Sequence, residues 1–390
     1  MKNIFDFAVI GGGASGLYAL RGLKNKKTVI IEKNNNLGVK LLITGGSKCN
    51  FTNKNLNPDD FLCSNPHFIK SFLAKFNTSH ALQFIKSHNI PYEERDNGKL
   101  FTLSGADKIL KALIDDGKSH LHTFKQGYEV TDVEKTGDIF KIITDKENFF
   151  AKNVIVSSGG LSFPKLGATP IAYKIAKKFG MKTIDTYPAL TSLKYPQEIA
   201  QDFSKLAGIS LYAQITVGKK VIKDDLLLSH SAFSGPLALN ASLYLDQQGE
   251  ITINFAPKTD IKTFISQNRN SKKSLTTLLS YHMPKALVKT LLKNEEYNLS
   301  QIKKSEIEEI YKNISEFKVS IKKKDGYNKA EVTKGGVSVD DIFPNRMESR
   351  KCPGLFFIGE ALDVTGILGG YNLHWAWASS DTLINFINKT

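Results

Sequence analysis

Gly11-Gly12-Gly13-Ala14-Ser15-Gly16, followed twenty-one positions after Gly11 by Glu32, have the types and spacing to hold a diphosphate and a ribose. Gly11 permits a tight turn, Gly13 lets the backbone approach a pyrophosphate, and Gly16 lets helix and strand pack closely. The diphosphate then sits on the helix N-terminus at Ala14 and Ser15. Glu32 can accept both ribose hydroxyls, with Lys33 next to it. Its negative charge opposes a 2′-phosphate, so FAD or NAD is favoured over NADP.

A second set of residues bears on which dinucleotide it is. Lys40, Gly45, Gly46, Lys48, Cys49 and Asn50 lie in a glycine-rich loop after Glu32. A flavin domain sends such a loop back over its cofactor, whereas a NAD domain goes straight into its next helix. Gly354-Leu355-Phe356-Phe357-Ile358-Gly359-Glu360 reads as a short buried strand ending in a glycine and an acid, which in flavoproteins places a carboxylate on the ribityl chain. Asp363 is read as a cap for the turn before Gly366. Gly369, Gly370, Tyr371 and Asn372 then start a helix whose backbone donors and dipole suit the pyrimidine edge of a reduced isoalloxazine. Tyr371 and Asn372 position the ring or the substrate on this reading, with packing as the alternative for Tyr371.

Flavins carry out hydride transfer, and the protein supplies orientation and a proton. Cys49, with an ordinary thiol pKa, can protonate a carbon left anionic by hydride addition. The competing reading is a small apolar loop residue. Lys40 and Lys48 are placed to balance the pyrophosphate or the reduced flavin. His230 and His374 are the two histidines inside motifs. His230, in Ser229-His230-Ser231, can line the substrate side, although helix capping explains the neighbouring serines equally well. The cysteines are isolated and the histidines do not pair at i, i+4, so no metal site is expected. No nucleophile elbow, triad or Walker pattern occurs. A second glycine fingerprint is missing, so a nicotinamide reductant, NADH or NADPH, has to dock transiently.

The elements that position these residues follow from periodicity. An apolar strand precedes Gly11, a helix runs from Leu17 to Leu23, and Thr28–Ile31 is the second strand. Helical patterns cover Phe68–Phe76, Ser79–Ser87 and Gly105–Asp116, around a polar stretch from Tyr92 to Lys99. Period-two runs occupy Gly127–Glu134, which contains Val130, then Asp138–Thr144 and Asn153–Val156. The last ends in Ser157-Ser158-Gly159-Gly160, so its tip, with Gly159 and Gly160, reaches the cofactor, and Val130 is counted with them among the cofactor-binding residues. Ala172–Gly180 is a short helix with a glycine cap. Short strands follow at Ser210–Val217, Val221-Ile222 and Ile251–Phe255, and helical character from Lys258 to about Lys312. Strand character resumes at Phe317–Ile321 and Glu331–Thr333.

Six stretches make the chain resemble the aminoacetone-oxidase-like and bile-acid-reductase-like FAD-dependent oxidoreductases. They are Gly11 through Leu17, Thr44 through Asn50, Phe163-Pro164-Lys165-Leu166-Gly167-Ala168-Thr169, His230 through Pro236, Thr333-Lys334-Gly335-Gly336-Val337, and Gly359-Glu360 through Trp377. The family commonly has glycine where Ser47 and Ser380 stand, and a Ser47 with positive φ is strained. The resemblance implies an α/β chain with a Rossmann-like, glutathione-reductase-type FAD-binding domain over 1–190 and 340–390. An inserted small β domain would cover 191–257 and 313–339, interrupted by a helical cap over 258–312. Non-covalent FAD is the expected cofactor. The family is connected with amine oxidation, reduction of steroid enones, and reduction of uridine to dihydrouridine in large-subunit ribosomal RNA.

Charge chooses among these. The 390 residues carry 53 Lys and Arg against 38 Asp and Glu, a net +15. Residues 257–330 hold 16 basic and 8 acidic side chains, hence +8, with Lys272-Lys273 and Lys322-Lys323-Lys324 as the densest runs. Such a surface attracts a phosphate backbone, while a lysine-rich proteome with solvated faces is the bland alternative. An amine oxidase drawing in a cationic substrate gains nothing from it. The sequence therefore favours an FAD-dependent reductase of a C=C bond, with a uridine of large-subunit ribosomal RNA as substrate. A small-molecule flavin oxidase or enone reductase is the alternative, and an RNA-binding flavoprotein without turnover the third reading. Three scattered cysteines imply a reducing compartment. No signal peptide is read at the N-terminus, and no apolar run nears the roughly 18 residues of a membrane span. A cytoplasmic protein is expected.

Overall fold

The computed structural model describes residues 3–389. It divides into two units, one made of the chain up to Tyr187 and from Glu331 onward, the other Pro188–Ala330.

The central sheet of the first unit runs in the order His122–Gln126, Thr28–Glu32, Ile4–Ile10, Asn148–Val156, Ile139–Thr144, Val130–Thr136. The first four strands are parallel, and the last two join antiparallel. Asn148–Val156 pairs with Ile4–Ile10 along one edge and serves two partners along the other. Its first half pairs with Ile139–Thr144, and Val154–Val156 pair in parallel with Leu355–Phe357. Ala8-Val9-Ile10, Val29-Ile30-Ile31 and Val154-Ile155-Val156 are buried, the continuous apolar runs expected of strands covered on both faces. The carboxyl ends of these strands gather at one edge, where parallel α/β sheets place ligands.

The helix Tyr371–Ile387 packs on Ala14–Ala19, with Trp377 stacked 5.5 Å from Tyr18. The Ser380 hydroxyl donates to Ser15 O at 2.9 Å, which satisfies a buried polar group where the family commonly has glycine. The stretch Tyr92–Lys99, read as a polar break, contributes Tyr92–Arg95 to a small antiparallel sheet with Lys99–Thr102 and Asn50–Asn53. Its polar Glu93-Glu94-Arg95 lacks the apolar alternation that announces a strand.

The Thr333–Val337 motif lies in the first unit, not in the inserted β domain expected to extend to residue 339. Its strand, Val332–Val337, pairs with Thr183–Ala189. A Cβ at Gly335, whose φ is +84°, would lie 2.1 Å from Asp185 O, so the close approach of these two strands requires glycine.

The second unit is a six-stranded antiparallel sheet in the order Leu193–Lys194, Ala232–Ser234, Lys220–Leu228, Ser210–Val217, Gly249–Asn254, Phe317–Ile321. The helices Ile261–Gln267, Leu275–Leu279, Lys285–Leu291 and Lys304–Ser315 fall within or close to the expected cap. They do not form a core of their own. Ile261, Ile265, Leu278, Leu287 and Ile310 share one apolar cluster with Ile215, Leu226, Ile253 and Val319 of the sheet. Helices this short bury too little surface to stand alone.

Candidate functional site

The glycine turn after Ile4–Ile10 is held against the loop after Asn148–Val156. Gly11 has a φ of +104°, and a Cβ there would sit 2.7 Å from Ser157 O; one at Gly16 would sit 2.2 Å from Gly11 O. Gly13 is the contrast. A Cβ there meets no described atom within 4 Å, so packing does not require glycine at this position and the space it leaves suits a diphosphate. The Glu32 carboxylate accepts from Gly12 N and Asn34 N, each at 2.8 Å, which fixes its orientation at the strand end. Ser158 Oγ is buried and, among the described residues, has no hydrogen-bond partner. A cradle at Gly13, an oriented carboxylate and an orphaned hydroxyl beside the turn fit a dinucleotide.

A second knot lies in the same unit. Lys40 Nζ reaches Glu360 Oε2 at 2.7 Å, and Thr333 N donates to Glu360 Oε1 at 2.9 Å. The Thr333 hydroxyl accepts from Leu161 N at 2.8 Å and Ser162 N at 3.1 Å. A Cβ at Gly160 would lie 2.6 Å from Thr333 Oγ1 and 3.1 Å from Glu360 Oε1, and one at Gly159 would lie 3.8 Å from Glu360 Oε2. Gly159, Gly160, Glu360 and Lys40 thus come together, with Lys40 paired to Glu360. Gly359, with a φ of +70°, lies against Ser15, and its N–H and C=O are bound by Ser379 Oγ at 2.9 Å and Trp375 Nε1 at 3.0 Å. These contacts join the diphosphate turn, the Gly359-Glu360 element and the last helix.

The glycine-rich loop is left-handed at Gly45, Gly46, Ser47 and Cys49, with φ values of 56°, 63°, 68° and 46°. The strain expected at Ser47 is present. Gly45, Gly46, Ser47 and Lys48 are exposed while Cys49 is fully buried beneath them. Burial pushes the Cys49 thiol up to about 12, and a hydrogen bond with Thr44 opposes this only weakly. The ordinary pKa expected of a donor is therefore absent. The Asn50 amide accepts from Gly370 N at 3.1 Å and donates to Leu100 O and Thr52 O at 3.0 Å each, tying the loop to the helix start. Gly369 is held through its carbonyl by Asn53 Nδ2 at 3.0 Å.

Several expected ligands turn out to be braces. The Tyr371 hydroxyl lies 3.3 Å from Asn55 O and 3.2 Å from Asp60 Oδ2, burial raises its pKa, and the residue is 4% exposed, so it is not offered for catalysis. Asn372 clamps Gly366 by its N–H and its C=O, both at 2.9 Å. Asp363 accepts from Ser64 N at 2.9 Å rather than capping the turn before Gly366. Lys33 pairs with Glu129 at 3.0 Å, and Val130 is buried at a strand start. His374 is fully buried and donates from Nε2 to Phe76 O at 3.0 Å while Nδ1 accepts from Thr52 Oγ1 at 2.8 Å; burial lowers its pKa to about 4, so it stays neutral.

In the second unit, His230 is exposed between the strands Lys220–Leu228 and Ala232–Ser234. Lys272, Lys273 and Lys323 are exposed, and Lys322 pairs with Glu198 at 3.2 Å. Lys324 departs from the reading. It is 6% exposed, and its Nζ donates to the carbonyls of Pro188, Ser242 and Leu245 at 2.9, 3.2 and 2.5 Å. It secures the end of the helical segment 235–244 and is unavailable to a nucleic acid.

Thr333, Ser158 and Glu331 are given no role by the sequence. Thr333 stands in a quoted motif, and its glycines are the available signal. Glu331 is reached by solvent, yet the protein around it raises its carboxyl pKa against the pull of Lys40. Among the described residues no His, Cys, Asp and Glu group could hold a metal, and no helix is long and apolar enough to cross a membrane.

Residues 5–383 match the family model described as HI0933-like protein Rossmann domain. The chain is 35% identical over 384 residues to the ribosomal RNA dihydrouridine synthase of Escherichia coli, covering 96% of each chain. It is 28% identical over 396 residues to the 3-dehydro-bile acid delta(4,6)-reductase of Clostridium scindens, covering 95% of this chain and 96% of that one. The solved 3-ketosteroid-delta4-(5alpha)-dehydrogenase of Rhodococcus jostii superposes with a TM-score of 0.51 at 11% identity, over 98% of this chain and 97% of that one, a likeness of fold alone. With its dinucleotide cradle, its Gly359-Glu360 knot and a family match running from Phe5 to Leu383, the chain belongs to the HI0933-like Rossmann-domain family of FAD-dependent oxidoreductases.

Proposed function

We propose that the protein reduces a uridine of large-subunit ribosomal RNA to dihydrouridine, using non-covalent FAD that NADH or NADPH recharges. The observation that carries this reading is the end-to-end similarity to a relative named ribosomal RNA dihydrouridine synthase, and the +8 over residues 257–330 supports it independently. When bound, FAD supplies the hydride that adds to one carbon of the uracil C=C bond. The protein's tasks are to bind, orient and protonate. Gly13 and Ser158 cradle the diphosphate, Glu32 takes the ribose hydroxyls, and Lys40 with Glu360 holds the chain leading to the ring. The proton for the second carbon has to come from a group that is protonated and reachable. Cys49 and Tyr371 fail the second condition; Glu331 is solvent-exposed, and desolvation raises its carboxyl pKa against the pull of Lys40, so it is the group we assign to the proton step.

A small-molecule enone reductase is the second reading, favoured by the similarity to the bile-acid reductase. Incubating FAD-loaded protein and a nicotinamide with unmodified ribosomal RNA, then with a steroid enone, separates the two. Dihydrouridine in the digested RNA supports the first reading. Turnover of the enone alone supports the second.

A further inference from the structure

Within the second unit the charge is concentrated. Residues 258–293 carry 8 basic side chains against the single acid Asp260, a net +7. Asp260 is occupied, capping Ile261–Gln267 through Lys262 N and Thr263 N. Lys262 is matched by Glu308 and Lys293 by Glu309. Lys258, Arg269, Lys272, Lys273, Lys285 and Lys289 are all exposed. Among the described residues no ion pair neutralises any of them.

Two exposed tyrosines lie among these cations. Tyr281 is 64% exposed, with Lys273 Nζ 2.7 Å from its hydroxyl and 5.1 Å from its ring centroid. Tyr212 is 42% exposed, with Lys258 Nζ 4.6 Å from its ring centroid. The two are linked. His282 follows Tyr281, its ring packs 4.8 Å from Phe264, and its Nδ1 lies 3.2 Å from Thr259 Oγ1, next to Lys258. The result is a continuous band of Lys273, Tyr281, His282, Thr259, Lys258 and Tyr212. It ends where Asp225 stands opposite Tyr212 in the sheet. Large aromatic rings left in water beside unpaired cations cost apolar exposure and gain nothing for the fold. They match what unpaired nucleotides require, a flat face for each base and a positive charge for each phosphate.

We propose that this band is a docking surface for single-stranded RNA, with Tyr281 and Tyr212 as base-stacking platforms and Lys258, Lys272 and Lys273 on the phosphates. It rests on the ribosomal RNA reading and specifies how the RNA substrate is gripped. A base must leave its stack to be reduced, so a surface that prefers unstacked nucleotides lowers the cost of presenting it.

The test uses full-length, FAD-loaded protein and unmodified ribosomal RNA transcript, with binding measured across a salt series and dihydrouridine counted by nucleoside mass spectrometry. Tyr281→Leu is expected to weaken binding about 5- to 100-fold with an unchanged salt slope, because stacking is removed and no charge is. Tyr212→Leu should do the same. The double variant Lys272→Gln and Lys273→Gln should reduce the slope of log K against log salt by about 0.7 for each phosphate no longer neutralised. In all of these, flavin content and dithionite reduction of the flavin should match the parent. RNA binding unchanged in both tyrosine variants, with a parent that binds and modifies the RNA, overturns this inference alone. A parent that neither binds nor modifies the RNA overturns the functional reading as well.

Discussion

At the scale of single residues, the glycines of the first turn divide by what surrounds them. Gly13→Val should abolish FAD retention, measured by flavin absorbance after gel filtration, and leave the fold in place by circular dichroism, since its Cβ enters open space. Gly16→Ala should instead destabilise by at least about 1–3 kcal/mol, because its Cβ overlaps the Gly11 carbonyl. Cys49 is the residue whose role differs most between sequence and structure. A thiol in a glycine-rich loop has the right chemistry for a proton donor, but the left-handed backbone at Gly45, Gly46 and Ser47 carries the chain over it and leaves it buried. Cys49→Ala should therefore keep product formation and lose about 0.5–1.5 kcal/mol of stability, the range for one buried heavy atom. Loss of turnover with FAD retained would return Cys49 to the chemistry. Glu331→Gln should keep FAD and nicotinamide-driven flavin reduction but lower product formation by about 10²- to 10⁴-fold. Normal turnover in that variant would remove Glu331 from the proton step.

At the scale of elements, the parallel sheet, the glycine turn and the Gly359-Glu360 strand are legible in the sequence because apolar runs and glycines encode them locally. The roles of Tyr371, Asn372 and Asp363 are not. Each lies in a cofactor-type motif, yet Tyr371 and Asp363 meet Asp60 and Ser64, which only tertiary packing brings near, and Asn372 closes the turn onto Gly366 six residues before it. The Tyr92–Arg95 strand escapes because its polar residues lack alternation, although it pairs with the adjacent Lys99–Thr102, and the shared core of the inserted unit escapes because burial there depends on distant partners. His374 shows what such packing does to a titratable group. Its pKa is about 4 in the fold against 6.5 unfolded. Between these values the unfolded chain binds the proton and the folded chain does not, so stability rises with pH through that window. The contribution is complete above pH 6.5 and is lost as pH falls toward 4, on the order of 3 kcal/mol in all. Denaturant titrations at about pH 7, 5.5 and 4.5 should show that decline, and His374→Gln should flatten it whatever its absolute stability.

At the scale of the whole molecule, the net charge of +15 is an interaction property more than a folding one. Where that charge lies is only half readable. The run Lys322-Lys323-Lys324 looks equivalent to Lys272-Lys273, but Lys322 is paired and Lys324 is spent on three carbonyls inside the second unit. Lys324→Met is thus expected to lower stability, by the about 1–3 kcal/mol of buried carbonyls left unsatisfied, without changing the salt dependence of RNA binding. The claim that the molecule acts on ribosomal RNA is met most directly in cells. A strain lacking this gene should lose one dihydrouridine from large-subunit ribosomal RNA, seen by nucleoside mass spectrometry and placed by alkaline cleavage mapping. Expression of the parent gene should restore it, and expression of the Gly13→Val variant should not. A dihydrouridine profile identical with and without the gene would contradict the ribosomal RNA assignment and leave the small-molecule enone reductase as the better reading.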